Sequence, residues 1–553
     1  MTLLLTNFLD TIKNTRVSIS EWIMGFLGIV FVRFIFEYIS SPASDGIMPL
    51  DPHTTIHYIL FLLSVSLCSI LLVGYFNKDY KNAPKILLFG LPILWLAPIA
   101  DLVFSGGVGS KMTYIFSTNW EILTNFVTFL GTTSNIGVTS GMRFGIALMI
   151  LGFGCYLWIN KNGYKRIALG MFSLYLLIFI IGSTPGIINT VSNIFTSTNE
   201  NSLVFFEKVI FESTISHNTW REGVSSVSYA RFFELGFNKI LTQILFIISV
   251  ISASLLFYRI DKNKFIAVIR NLRLERVNFY TLSLLSGMGF AYLNNPMIIS
   301  NIMWVDFIGV VCLLMAWVGL WMNAVHTNDI ADVEIDKISN TNRPLIEKTL
   351  TVEEMREVGR LWLIIGLLGA WAAGFYPFFM SLVYIAASYI YSVPPLRLRR
   401  FPIISSFLIG VACLATILAG YFFISPLKQI SAFPSLLALG IVLMVTMAIN
   451  FKDIKDVAGD RANGIMTIPT LFGERGIKIV AYCFALSILL VPVFLSFYLL
   501  YIIALPSALI GYRLIMKKPY QEKPIFVLRF VFLTGIAISY LILYYFVYIK
   551  GII

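Results

Sequence analysis

The sequence predicts an all-α integral membrane protein, and three observations carry that prediction. Of 553 residues, 58% are hydrophobic and only 13% are charged, about half the charged share of a soluble domain. The mean hydropathy is +0.83. Apolar runs of about 20 residues, the length that crosses a bilayer as a helix, recur from one end to the other. The formal charge of +12 would suggest nucleic acid on a soluble chain. Here the basic residues sit in short loops between spans, where the positive-inside rule accounts for them. Membrane lipids are therefore the expected partners, and nucleic acid is not.

Taken in order, hydropathy places about six helices before residue 259, at roughly 20–40, 56–76, 85–104, 143–160, 166–184 and 236–258. About nine follow, at roughly 279–297, 302–326, 358–376, 378–391, 403–424, 434–451, 477–494, 496–514 and 526–548. Alternating these spans gathers the basic loops on one side, from Lys13 and Arg16 through Lys78 to Lys85 and on to Arg513 and Arg529. The opposite loops are poor in Lys and Arg. Residues 41–55 hold Asp45 and Asp51 and no Lys or Arg, and residues 425–433 hold only Lys428. That asymmetry places the N-terminus and the basic loops in the cytoplasm of a multi-pass cell-membrane protein, with the C-terminal tail outside. The basic run from Arg259 to Arg276 divides the chain into 1–258 and 259–553. It reads equally as an interfacial amphipathic helix and as a plain linker.

The five cysteines lie in apolar spans without CxxC spacing and read as small buried hydrophobes. The four histidines form no zinc-type cluster. The first twenty residues carry Asp10, Lys13 and Arg16 and no cleavage site, so no cleavable signal peptide is expected.

Two segments are polar where everything around them is apolar. One begins at Asn328 and holds Asp329, Asp332 and Asp336; the other begins at Lys452 and holds Asp453, Asp456 and Asp460. Steps of three and then four residues fall on one helix face, so each segment is expected to stack its carboxylates along a stripe. Like charges at that spacing cost an isolated helix roughly 0.2–0.5 kcal/mol per pair, and more near a low-dielectric region. A cation removes the penalty. Mg²⁺ suits an all-oxygen donor set and is usually held by one or two carboxylates together with substrate phosphates. Two stripes on separate helices facing each other across a bundle would let Mg²⁺ bridge a diphosphate and stabilise it as a leaving group. The alternative is a pair of solvated loops with ordinary helix-start carboxylates.

At these residues the sequence resembles the UbiA superfamily of intramembrane prenyltransferases. The NDxxDxxxD motif is matched by Asn328, Asp329, Asp332 and Asp336, with Asn342, Arg343, Pro344 and Leu345 as the trailing NRPL. The second motif, KDxxDxxGD, is matched by Lys452, Asp453, Asp456, Gly459 and Asp460. Between them, YSxPPxRxKR is matched by Tyr391, Ser392, Pro394, Pro395, Arg397 and Arg400, with Arg399 where Lys is usual. The resemblance covers about residues 260–553 and implies a nine-helix bundle. It implies ionisation of a prenyl diphosphate with Mg²⁺ and attack of an acceptor on the allylic cation.

By the same resemblance, Asp332, Asp336, Asp456 and Asp460 would hold metal, supported by Asn328, Asp329 and Asp453. Arg343, Arg397 and Lys452 would contact phosphate oxygens. Tyr391 and Ser392 would lie near the acceptor and the cation, although Tyr391 also reads as an interfacial aromatic anchor. Arg276 is a further phosphate candidate. Arg399 and Arg400 read better as charges that set topology. Ile346, Glu347 and Lys348 replace the small turn common after NRPL, which loosens any assignment of the acceptor.

The acceptor implied is a small molecule or lipid, aromatic and on a quinone-type pathway. The alternative is a glycerol phosphate on the way to an ether lipid. A chlorophyll-type or phosphoribose acceptor finds no supporting feature. A carrier or channel is the competing class, and it gives no reason for two matched Asp motifs.

The first 258 residues have no counterpart in that family. They carry Arg33 and Glu37 one turn apart and Asp101, all inside predicted spans. Charges there suggest function by default, against a pair that satisfies itself. Long loops near 105–142 and 184–234 are polar enough to fold outside the membrane. A second enzyme, a transport module and a partner-binding domain all fit this half.

Overall fold

The computed structural model describes residues 2–40, 52–104, 114–115, 121–131, 138–213, 229–294 and 302–544. The acidic residues Asp45 and Asp51, parts of both long loops and the end of the span expected at 279–297 lie outside them. Every regular element among the described residues is helical. Thirteen helical stretches are long and apolar enough to cross a membrane. The chain divides into two units, the described residues up to Lys262 forming one and those from Asn263 onward the other.

The first unit contains six such stretches: α1 (Ile19–Ser40), α2 (Pro52–Asn77), α3 (Ala83–Phe104), α4 (Ser140–Ile159), α5 (Tyr164–Gly182) and α6 (Tyr229–Ile260). Pro84, Pro92 and Pro98 punctuate α3, whose middle tightens into a 3₁₀ turn over Leu91–Trp95. Such tightening is expected where prolines remove backbone donors. The intramembrane charges are accounted for locally. Asp101 accepts from the Gly141 backbone N–H at 2.7 Å and the Thr139 hydroxyl at 2.5 Å, clamping the start of α4. Arg33 pairs with Glu37 at 3.8 Å. His57 is buried, 2.7 Å from the Tyr114 hydroxyl.

Between Lys262 and Arg270 the basic run forms a short helix with Val268 buried. The second unit then forms nine long helices among the described residues. These are α7 (Leu274–Asn294), α8 (Trp304–Ala331), α10 (Val352–Ala373), α11 (Phe375–Ser392), α12 (Pro402–Ile424), α13 (Ser435–Ala448), α15 (Ile468–Phe494), α16 (Tyr501–Met516) and α17 (Lys523–Tyr544). Two short helices, α9 (Val333–Ser339) and α14 (Val457–Ala462), interrupt the series.

The nine correspond to the nine expected spans, but α7 and α10 are less apolar than a membrane crossing requires by composition. The α10 helix starts earlier than hydropathy suggests, because Thr351 and Glu354 form a capping box that nucleates a charged first turn. Close crossings hold the bundle. A Cβ at Gly287 would meet the Ile417 carbonyl oxygen at 1.9 Å, and one at Gly420 the Leu284 carbonyl at 2.0 Å. Thus α7 and α12 touch backbone to backbone.

Candidate active site

The carboxylate stripes predicted from spacing are broken in the same way twice. Asp329 lies in the last turn of α8, Asp332 leaves helical geometry at φ −109°, ψ 15°, and Asp336 belongs to α9. Asp453 lies in a 3₁₀ turn over Ile449–Ile454, Asp456 sits at φ −97°, ψ 4°, and Asp460 belongs to α14. In both motifs the middle Asp occupies the bridge region between two helices, where active-site residues are often found. The three-then-four spacing therefore marks a helix, a corner and a second helix, and no continuous stripe forms.

The two corners meet. Gly459 packs against Ile335 and Ser339, where a Cβ would approach the Ser339 hydroxyl to 2.5 Å. Asn340 ends α9 and donates to Asp336 at 2.8 Å and to Asp456 at 3.2 Å, so one amide spans both motifs.

Each remaining carboxylate is matched by a cation. Asp329 accepts from Arg273, and from Asn271 at 2.8 Å. Asn271 in turn takes a bond from Arg343 at 3.3 Å. The turn that carries them is pinned by the Trp321 indole, which donates to the Leu272 carbonyl at 2.8 Å. Asp332 accepts from Asn328 at 2.6 Å and Arg397 at 2.8 Å, and pairs with Arg399. Arg399 also reaches Asp460 at 3.4 Å. Lys452 donates to Asp453 at 2.6 Å and to the Tyr391 hydroxyl at 3.1 Å. Ser392 donates to Asn328 at 3.3 Å.

Burial pushes the Asp460 carboxyl up to about 6, against the pull of Arg399, and its Oδ2 has no hydrogen-bond partner. Burial likewise raises Asp336, with Asp329 adding to the effect.

These groups border one cavity of about 1170 Å³, counting its open mouth. Asn328, Asp329, Asp332, Asp336, Asp453 and Asp456 line it, as do Arg343, Lys452, Tyr391 and Ser392. Away from that polar mouth its wall turns aromatic and aliphatic, with Phe279, Tyr280, Trp321, Tyr384 and Phe526. Arg397 and Asp460 are set back from the lining, each one contact away through Asp332 and Arg399.

Sequence reasoning missed several groups. Arg273, Lys455 and Arg399 all line the cavity. Arg399 is 11% exposed and tied to both motifs, so its charge does more than set topology, whereas Arg400 is exposed and bonds only nearby carbonyls. Glu522 pairs with Arg276 at 2.9 Å and with Lys455 at 2.6 Å. Burial works against its charge, but the two cations outweigh that and hold the Glu522 carboxyl below its ordinary range. The basic character of 259–276 was the available signal for Arg273. Glu522 had none, standing alone in a polar loop far along the chain.

Among the described residues no three His, Cys, Asp or Glu side chains form a ready metal cluster. A Mg²⁺ site built from one or two carboxylates and substrate phosphates does not need one. Asp336 and Asp456, bridged by Asn340, and the unpartnered Asp460 Oδ2 are oxygen donors of the right kind.

Residues 282–547 match the UbiA prenyltransferase family. This half of the chain belongs to that family. Among curated relatives, naringenin 8-dimethylallyltransferase 2 of Sophora flavescens is 30% identical over 182 residues, 31% of this chain and 44% of that one. Digeranylgeranylglyceryl phosphate synthase of Sulfolobus acidocaldarius is 27% identical over 183 residues, 32% of this chain and 64% of that one. The chain thus spans about half the length of the curated relatives it matches. A solved UbiA homologue from Archaeoglobus fulgidus, bound to GPP and Mg²⁺, aligns with a TM-score of 0.40 and 17% identity. That alignment covers 48% of this chain and 97% of the homologue.

Proposed function

We propose that the second unit transfers a prenyl group from a prenyl diphosphate to a membrane-associated acceptor, with Mg²⁺ as cofactor. The observation that carries this reading is the two-ended cavity, with carboxylates and cations of both motifs at one end and an aromatic wall at the other. A prenyl diphosphate has that same division, and the family match supports the assignment.

Asp332, Asp336 and Asp456 would hold Mg²⁺, which supplies positive charge to the departing diphosphate. Asp460 would join them once Arg399 moves aside. Arg273, Arg276, Arg343, Lys452 and Lys455 would hold phosphate oxygens, the arginines by paired contacts and the lysines as point charges. The allylic C–O bond breaks with its electron pair leaving on the diphosphate. The acceptor nucleophile attacks the resulting cation and loses a proton. Tyr391, whose hydroxyl is held by Lys452, would offer its ring to the cation, an interaction of about 0.5–2 kcal/mol.

An aromatic acceptor is the leading reading, and a glycerol phosphate the second, since relatives of both kinds are similar to this chain. Cytoplasmic placement of the N-terminus and both motifs is part of the proposal, as is a separate role for residues 1–258. The deciding experiment is Mg²⁺-dependent diphosphate release from a panel of prenyl diphosphates and acceptors. Turnover should fall by more than ~100-fold in Asp332→Ala and in Asp456→Ala, since even outer partners of metal ligands cost 10–100-fold. Unchanged turnover in both would sink the mechanism.

A further inference from the structure

The cations that line the cavity are held by two kinds of carboxylate. Arg273, Arg399 and Lys452 pair with Asp329, Asp332 and Asp453, inside the Asp-rich segments themselves. Arg276 and Lys455 pair with Glu522 instead, at 2.9 Å and 2.6 Å. Glu522 belongs to neither segment and is not among the residues that line the cavity. Its side chain is 16% exposed and meets both cations from behind that lining.

The position of Glu522 is set by its neighbours. Its carbonyl accepts from the Ile525 N–H at 3.1 Å and the Phe526 N–H at 3.4 Å, which starts α17. Two residues earlier, the Tyr520 hydroxyl donates to the Phe451 carbonyl at 2.6 Å, next to Lys452. The Arg276 guanidinium also lies against the Phe526 ring, 6.0 Å from its centroid. The start of α17 thus holds one cation from the first turn of α7 and one from the second Asp-rich segment.

A carboxylate inside the cavity would compete with phosphate for these cations, but Glu522 stands outside it. A guanidinium has five N–H donors and an ammonium three, so a partner behind them and phosphate oxygens in front can be bound together. Without Glu522 two like charges would stand close together and repel, more strongly where water is scarce. The carboxylates that hold Arg273, Arg399 and Lys452 belong to the segments a metal would draw on. The counter-charge of Arg276 and Lys455 lies outside that set.

We infer that Glu522 is a positioning residue for the diphosphate: it holds Arg276 and Lys455 at the cavity wall, ready for phosphate oxygens, and keeps them there when Mg²⁺ engages the Asp-rich segments. Donors fixed in advance need no rearrangement when the ligand's charge arrives. This rests on the prenyl-transfer reading and adds to it a residue that acts through two of the phosphate contacts.

The test is equilibrium binding of inorganic pyrophosphate, with Mg²⁺, to the purified full-length protein. Glu522→Gln should weaken binding by about 10-fold, the lower end of what outer partners of ligand-holding groups contribute elsewhere. Glu522→Asp keeps the charge but is one methylene shorter, and should recover part of the affinity without reaching that of the wild type. In an Arg276→Met, Lys455→Met background, Glu522→Gln should cause no further loss, because residues that act through one another are not additive; a merely structural role would leave its effect in place there. Wild-type affinity in Glu522→Gln overturns the proposal, as does a full further loss in that background. Where the glutamine variant fails to fold, Glu522→Asp carries the test, and wild-type affinity in it overturns the proposal too. A wild type that binds no pyrophosphate with Mg²⁺ refutes the prenyl-transfer reading itself, whereas equal binding by wild type and Glu522→Gln refutes only the role of Glu522.

Discussion

The two Asp-rich segments share one spacing but are held in different ways. In the first, Asp329 and Asp332 are matched by arginines from other elements: Arg273 from the turn before α7, and Arg397 and Arg399 from the loop after α11. In the second, Asp453 pairs with its own chain neighbour Lys452. Asp456 shares Asn340 and Asp460 shares Arg399 with the first segment. One segment is thus cross-linked to the fold and the other leans on it. Identical spacing in sequence gives identical corners.

Stability should separate the two most clearly. Asp332→Ala leaves Arg397 without its carboxylate and Arg399 with only Asp460 at 3.4 Å, and breaking a buried pair costs about 3–5 kcal/mol. Asp456→Ala removes an acceptor from one shared amide and should cost about 1 kcal/mol. Chemical unfolding of the detergent-solubilised protein measures both, and equal losses would erase the distinction. The neighbours Arg399 and Arg400 offer the next contrast. Arg399→Met should destabilise by about 3 kcal/mol by stranding Asp460, while Arg400→Met should stay within about 0.5 kcal/mol, as an exposed site does.

The contact between the corners is tested by Gly459→Ala. Its Cβ would press on the Ser339 hydroxyl at 2.5 Å and the Ile335 carbonyl at 3.1 Å. A cost of about 1–3 kcal/mol is expected, with loss of turnover as the motifs are pushed apart; full activity would show that the corners need not meet. A milder change than Gly459→Ala is Asn340→Ala, expected to cost about 1 kcal/mol and to weaken Mg²⁺ binding by roughly tenfold, read by the Mg²⁺ dependence of turnover.

Much of this was legible in the residues. The spans follow from apolar runs, and Asp329, Asp332, Asp453 and Asp456 follow from being charged beside them. What sequence could not show was direction. Arg399 and Arg400 are adjacent and chemically identical, yet a 3₁₀ turn over Leu398–Arg400 points one at the two motifs and leaves the other exposed. Glu522 meets Arg276 across 246 positions, beyond any local pattern. The helical stripe failed for a related reason: three-then-four spacing fits a continuous helix and a cornered one equally, and the partners at the corners, Arg397 and Arg399 at Asp332 and Asn340 at Asp456, lie far off in the sequence. In the first unit, Asp101 looked functional by its position in a span, and its partners at the start of α4 give it a capping role.

The matching of carboxylates by arginines and lysines has a consequence for how the protein is made. A zinc finger is unfolded until its metal arrives. Here the charges at the cavity mouth are largely neutralised by the chain's own residues, so the bundle can be inserted and assembled before any divalent ion or diphosphate is present. The charges of Asp329, Asp332 and Asp453 are thus balanced inside the fold itself.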